Sequence, residues 1–184
     1  YRYLDMRRHS VQKMIRQRAQ AMQAVRSYLD KNDFIEIETP VLMKPTPEGA
    51  REYLVPSRNQ IGHGYALQQS PQQWKQTLMI GGIPLYYQIV KCFRDEDLRS
   101  DRQPEFTQLD IEMAFVGRDE VMRTAEDVLQ TLFTVLCGER LAHIDCLTYK
   151  EAIARYGTDK PDLRNPLFLV DIAPLCVDCD FSVF

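Results

Sequence analysis

The sequence predicts an α+β fold, an antiparallel sheet flanked by helices, on three observations. Residues 9–30 place Val11, Met14, Ile15, Met22, Val25, Tyr28 and Leu29 at spacings of three and four, the apolar stripe of a long helix. Residues 106–115 alternate, with Leu109, Ile111, Met113 and Phe115 on one side and Gln108, Asp110 and Glu112 on the other, which is the period of a strand. A further strand at 85–93 precedes it, and the charged stretch 94–105 between them reads as a hairpin loop.

The remaining elements follow in order. Lys31-Asn32-Asp33 breaks the first helix, after which Phe34-Ile35-Glu36-Ile37-Glu38 alternates as a strand until Pro40 stops it. Residues 44–64 carry Pro45, Pro47, Gly49, Pro56, Gly62 and Gly64 and read as loop, with a short strand around 53–55 and another at 65–67. Ser70-Pro71-Gln72-Gln73 reads as a helix start, with Ser70 as N-cap, Pro71 in the first helical position and Gln73 closing a capping box. Gly81 and Gly82 end that helix. Val121, Met122, Ala125, Val128, Leu129, Leu132, Phe133 and Leu136 make a second amphipathic helix ending near Gly138, and residues 148–156 a short third one. There is no internal repeat.

Composition narrows the function classes. At 184 residues, 45% of them hydrophobic and 27% charged, the chain has enough material for one domain with a real core. No apolar run approaches the ~18 residues of a membrane span, and the first eight residues lack a secretory core. The net charge of −3 gives no overall attraction for nucleic acid, so any RNA contact must come from a local patch. Five cysteines, an odd number, argue for a reducing compartment. The expectation is a cytoplasmic protein, with an organellar matrix as the alternative. Cys176 and Cys179 form a lone C-x-x-C without a second pair or a nearby His, which fits ordinary thiols better than a metal site. Tyr1 is not an initiator Met and Phe184 ends an apolar stretch, so both ends read as cuts.

Four segments carry chemistry. Arg94 and Glu96 end a strand two residues apart, on one side. The guanidinium forks onto phosphate or carboxylate, the Glu accepts from an amine, and a ring at Phe106 can stack on a base. A solvated hairpin with surface ion pairs is the plainer reading of the same residues. Gln108, Asp110 and Glu112 form an acceptor-rich strand face suited to an ammonium or amide group, though a solvent-facing sheet would also carry polar residues. Lys75 sits near the positive end of its helix, where the dipole disfavours a cation, and this suggests an anionic ligand. Thr46-Pro47-Glu48-Gly49-Ala50-Arg51 is either a surface loop or a lid hinged at Gly49.

These segments together resemble the class II aminoacyl-tRNA synthetases in their bacterial aspartyl branch. CFRDEDLRSDRQPEFTQLDIEM, from Cys92, is similar to motif 2, and FIEIETPVL, from Phe34, to motif 1. TPEGAREYLVPSR resembles the family's flipping loop, LQQSPQQWKQ its amino-acid-binding segment, and YGTDKPDLR a run typical of that branch. The five stand in family order from one end of the chain almost to the other.

The resemblance implies roles at the matching positions. Arg94 would bridge the α-phosphate of ATP and the substrate carboxylate; Glu96 would bind the adenine amine, Phe106 stack on the adenine, and Gln103 help hold ATP. Lys75 would pair with the side-chain carboxylate of L-aspartate, with Ser70, Gln72, Gln108 and Asp110 around it and Glu48 closing over it. Arg99, Asp101 and Arg102 would meet the acceptor end of tRNA(Asp), and Pro40 with the first helix would build an isologous homodimer. The implied reaction is aspartate–tRNA ligation with ATP and Mg²⁺. Residues 1–184 would be the first part of the catalytic domain, with the family's anticodon-binding barrel, inserted domain, motif 3 and metal ligands outside the chain, so that the chain alone would be inactive. Trp74 departs from the Leu or Phe the family more often has there. Two rival readings remain: a paralogue that binds or regulates without catalysis, and an amino-acid synthetase of the same fold.

Overall fold

A computed structural model describes residues 1–176, the side chain of Cys176 excepted. Two compact units divide the chain, Tyr1–Leu141 and a second that begins at Ala142. In the first unit a single turn, α1 (Arg2–Asp5), precedes the long helix α2 (His9–Lys31). Then follow β1 (Ile35–Glu36), β2 (Leu42–Met43), β3 (Leu54–Pro56), β4 (Gly64–Leu67), α3 (Gln72–Ile80), β5 (Leu85–Phe93), β6 (Glu105–Met113) and α4 (Arg118–Cys137).

The larger sheet has the order β1-β5-β6. β5 and β6 pair antiparallel along nine residues, from Leu85 opposite Met113 to Phe93 opposite Glu105. β1 adds in parallel, with Ile35 opposite Tyr86. The sheet is therefore mixed, with the antiparallel hairpin as its main part. A second sheet, β2-β4-β3, is antiparallel throughout; β3 and β4 fall at the short strands expected around 53–55 and at 65–67, and β2 is the strand the patterning does not show.

Alternation along β5 and β6 gives the hairpin two faces of opposite character. Leu85, Tyr87, Ile111 and Met113 turn toward α2 and α4 and pack with Val25, Tyr28, Leu29, Phe34, Val128 and Leu132. Leu29 and Tyr87 are wholly buried. Burying one such aliphatic side chain is worth about 1.5–3 kcal/mol, so this cluster is the main anchor of the unit. The Tyr87 hydroxyl donates to Asp30 Oδ1 at 2.8 Å, and the Tyr28 hydroxyl to Asp127 Oδ2 at 3.0 Å, clipping α2 to α4.

The structure corrects the sequence reading at three places. Phe115 does not share the apolar face, because β6 ends at Met113 where its partner β5 begins; Phe115 is fully exposed with φ of 60°. α3 begins at Gln72, with Pro71 rather than Ser70 in the N-cap position. No capping box forms at Gln73, since the Ser70 hydroxyl is drawn to Glu48 Oε2 at 2.8 Å. The strand expected over 34–38 makes ladder pairs only at Ile35 and Glu36, with one further bond from Ile37 N–H to Tyr87 O.

The second unit holds α5 (Tyr149–Tyr156) and α6 (Ala173–Cys176). Thr148 caps α5: its hydroxyl oxygen accepts from Glu151 N–H, and the Glu151 carboxylate accepts from Thr148 N–H at 2.9 Å. The Thr148 hydroxyl also donates to Glu151 Oε2 at 2.7 Å, and that bond, with the one from Thr148 N–H, holds the Glu151 carboxyl below its ordinary pKa. Gly157, in the left-handed region with φ of 71°, ends the helix. Among the described residues no helix is long and apolar enough to cross a membrane. Cys92 is a buried free thiol, and Cys137 and Cys146 are exposed ones. Cys179 and the side chain of Cys176 lie outside the described residues.

Candidate active site

The other face of the hairpin is polar. Residues directly opposite in a ladder point the same way, so Tyr86, Gln88, Val90 and Cys92 of β5 share this face with Glu112, Asp110, Gln108 and Phe106 of β6. α3 brings Lys75 to it. The Lys75 ammonium donates to Asp110 Oδ1 at 2.9 Å and lies 3.2 Å from Glu112 Oε2. The Lys75 and Asp110 side chains are only 12% and 11% exposed, which makes this a strongly buried ion pair.

The electrostatics of the cluster are unbalanced. Burial lowers the Lys75 pKa, but the hydrogen bond and charge of Asp110, and then of Glu112, outweigh it and raise the ammonium above its ordinary value. Burial pushes the Asp110 carboxyl up against the pull of Lys75. Lys75 is charged, because both carboxylates stabilise its ammonium. The helix-dipole cost at Lys75 is thus met within the chain, and no ligand is required to explain that residue. One cation faces two carboxylates, and Asp110 Oδ2 is buried without a hydrogen-bond partner. The Tyr86 phenol, raised by its burial and then by the charge and hydrogen bonding of neighbouring Asp110, donates to Gln88 Oε1 at 2.9 Å. A buried acceptor left unpaired costs about 1–3 kcal/mol, and a cationic or N–H donor ligand would remove that cost.

Around this cluster stand the other residues expected to hold an amino acid. The Gln108 side-chain oxygen accepts from the Cys92 thiol at 3.2 Å, and burial pushes that thiol up to about 11. Gln72 opens α3, its N–H 3.4 Å from Ser70 Oγ. Thr46 Oγ1 lies 3.3 Å from Glu48 Oε1, while Glu48 Oε2 takes the Ser70 proton. Pro40 is exposed, and its neighbour Thr39 donates to Gln88 Oε1 at 3.0 Å.

The loop between β5 and β6 forms a cavity of about 550 Å³ that Arg94, Glu96, Gln103 and Phe106 line together. The Arg94 guanidinium lies 5.1 Å from the centre of the Phe106 ring, and Arg94 N–H donates to Pro104 O at 2.9 Å, keeping the hairpin paired past the end of the ladder. Arg102 pairs with Glu96 at 3.4 Å. Asp101 and Arg102 line the same cavity, while Arg99 lines a neighbouring one of about 340 Å³ with Gly49 and Arg51. The hairpin tip turns tightly, Arg102 N–H donating to Arg99 O at 3.1 Å.

Residues 1–174 match the family model of tRNA synthetases class II (D, K and N). The chain belongs to this class II synthetase family. It is 56% identical over 185 residues to aspartate–tRNA(Asp/Asn) ligases of Legionella pneumophila strains Paris and Corby, a match that covers all of this chain and 31% of each relative. The chain therefore spans about a third of the length of the curated relatives it matches. Among solved structures, a chain from Leishmania major Friedlin assigned as an aspartyl-tRNA synthetase superposes with a TM-score of 0.66 at 26% identity, over 75% of this chain and 26% of that one. The α+β core with motifs 1 and 2 is thus the class II core in part.

Sequence reasoning missed some of what this synthetase chain brings together. Glu112 was read only as part of a polar face, and it is the second partner of Lys75. Tyr86 and Gln88 back Asp110 from the neighbouring strand; the only trace of them in the sequence is that they alternate with the core residues Leu85 and Tyr87. Trp74, where the sequence departs from the family's more usual Leu or Phe, is 36% exposed. Among the described residues no three His, Cys, Asp or Glu side chains gather as a metal site.

Proposed function

We propose that this chain supplies the ATP- and aspartate-binding hairpin of an aspartate–tRNA ligase. The reading is carried by one juxtaposition. Phe106, Gln108 and Asp110 alternate on one strand face, so the cavity holding Arg94 and Glu96 lies within about 14 Å of the Lys75 cluster, four residues at ~3.4 Å each. That span suits an aminoacyl-adenylate laid along the strand, with its base at Phe106 and its amino acid at Asp110.

The chemistry follows from charge. The α-carboxylate of aspartate attacks the α-phosphorus of ATP, forming the aspartyl-adenylate and releasing pyrophosphate. A hydroxyl of the terminal tRNA ribose then attacks the adenylate carbonyl, releasing AMP. The first step brings two anions together, so neutralisation and alignment matter more than proton abstraction. In this reading Arg94 serves both anions. Glu96 accepts from the adenine amine, Phe106 stacks on the ring, and Gln103 holds the nucleotide. Asp110, with its unpaired Oδ2, takes the substrate ammonium. Lys75 then exchanges part of its bonding to the side-chain carboxylate of aspartate, within the cage of Ser70, Gln72, Gln108 and Glu48.

The wider reading is that Arg99, Asp101 and Arg102 meet the acceptor end of tRNA(Asp), that Pro40 and α2 build a homodimer, and that the protein works in the cytoplasm with Mg²⁺. The exposed apolar side chains of Met14 and Ile15 on α2 support a partner there. The test is ATP–pyrophosphate exchange by the complete protein, with aspartate and asparagine in parallel and transcripts of tRNA(Asp) and tRNA(Asn) for the second step. Exchange with aspartate alone is the expected result. Exchange with neither, from a folded protein, would leave the pocket to a non-catalytic relative.

A further inference from the structure

The loop 46–52 is tied down at successive points. Its Glu48 carboxylate accepts from Ser70 Oγ at 2.8 Å. Farther on, Arg51 and Asp95 form an antiparallel bridge, Asp95 N–H donating to Arg51 O at 3.0 Å. Between these two contacts, the side chain of Gln69 pairs with a whole peptide unit of the loop. Its Oε1 accepts from Ala50 N–H at 3.2 Å and its Nε2 donates to Ala50 O at 3.0 Å.

Gln69 is 1% exposed. A buried amide is costly unless both its ends are bonded, and here one loop residue satisfies both. The burial of Gln69 and the position of the loop therefore require each other. Its neighbour Gln68 is equally buried but donates to Lys91 O at 3.0 Å, so it belongs to β5 and not to the loop. Gly49, at φ of +98°, lies between Glu48 and Ala50 and gives the loop a joint that other residues rarely supply. Among the described residues the Gln69 pairing is what holds the loop between that joint and the bridge at Arg51.

We propose that Gln69 is a positioning residue for Glu48: its amide clamps Ala50 and so sets the carboxylate two residues earlier at the amino-acid face. Gln69 itself does not touch substrate, because both ends of its amide are spent on Ala50. The proposal rests on the reading of Glu48 as the group that closes over aspartate. It deepens that reading by assigning the position of the lid to a residue outside the binding cage.

The experiment uses the complete protein. Gln69→Met keeps the volume and loses both hydrogen bonds. The aspartate KM should rise about ten-fold while kcat and the ATP KM stay within about two-fold, the signature of lost ground-state binding at one substrate only. Amide exchange at residues 49–51 should accelerate without substrate, and in the wild type the Ala50 amide should be the best protected of the three. Gln69→Glu keeps the acceptor but cannot donate when ionised, so lowering the pH from about 8 to about 6 should bring its aspartate KM back toward wild type as the carboxyl regains a proton. A purely structural loss would not respond in that way. An unchanged aspartate KM in both variants, an ATP KM that rises in step with it, or an unprotected Ala50 amide in the wild type would each overturn the proposal. If the wild type fails to exchange with aspartate, the reading of Glu48 falls, while the amide rates still decide whether Gln69 holds the loop.

Discussion

Lys75 shows how a single side chain can be mis-explained when its partners are unseen. In the sequence it is a cation at the wrong end of a helix. In the structure it is bonded to Asp110 and Glu112, and the residue in deficit is Asp110, whose Oδ2 has no donor. Specificity follows from that arrangement. Lys75 is the cation of the Lys75–Asp110–Glu112 group, so in the proposed reading it is where a substrate's side-chain carboxylate settles by exchanging for part of the bonding to Asp110 and Glu112, an exchange that a neutral amide drives less strongly. Lys75→Ala in the complete protein should raise the aspartate KM by about 100-fold, equal to about 2.7 kcal/mol, and narrow the preference for aspartate over asparagine. Parallel exchange assays with the two amino acids measure both effects, and an unchanged preference would remove Lys75 from the specificity pocket. Tyr28 makes a second prediction at this scale. Burial, with the hydrogen bond to Asp127, lifts its phenol to about 12 from the ordinary 10. A phenol with a raised folded-state pKa contributes stability that is fully present below about 10 and lost as the pH climbs through about 12. The stability of the wild type relative to Tyr28→Phe, followed by thermal melts, should hold steady to about pH 10 and shrink above it.

At the scale of elements, what was legible depended on whether the pattern was local. β5 falls at 85–93 as expected, and α2 and α4 keep the periods that predicted them. Their faces are set by long runs of side chains that must be buried together. The start of α3 was not legible, because the Ser70 hydroxyl has two offers, the helix N–H groups and the Glu48 carboxylate 22 residues away, and the second wins. The end of β6 was also hidden, since it depends on where β5 begins. The β2-β4-β3 sheet was half visible: its strands are two to four residues long, and their glycines and prolines read as loop. One of those glycines is a requirement. A Cβ on Gly64 would stand 2.9 Å from Val55 O, a backbone atom of the paired strand. Gly64→Ala should push β3 and β4 apart and cost about 1–3 kcal/mol, read as a lower melting temperature, with faster amide exchange confined to residues 54–67. A variant as stable as the wild type would mean that the ladder shifts freely there.

For the whole molecule, the candidate site is legible as chemistry and only partly as geometry. The motif strings placed Arg94, Glu96, Gln103 and Phe106 in one group, and one cavity gathers them. Tyr86, Gln88 and Gln69 carry no local signature of their roles and Glu112 shows only as part of a polar strand face, because their partners lie on other elements or in the loop. One more feature works at this scale, the main-chain bridge between Arg51 and Asp95. It ties the segment expected to fold over the amino acid to the segment expected to fold over the nucleotide. Whatever stiffens one must stiffen the other, and the entropy lost in ordering the pair is then shared by the first ligand to arrive. Thermodynamic reciprocity requires that the factor by which ATP tightens an unreactive aspartate analogue equal the factor by which the analogue tightens ATP. A coupling of about 1–3 kcal/mol, some five- to 150-fold, is the ordinary range for two coupled sites. Calorimetric titration of each ligand with and without the other measures both factors, and strictly independent binding would show that the two segments part at no cost.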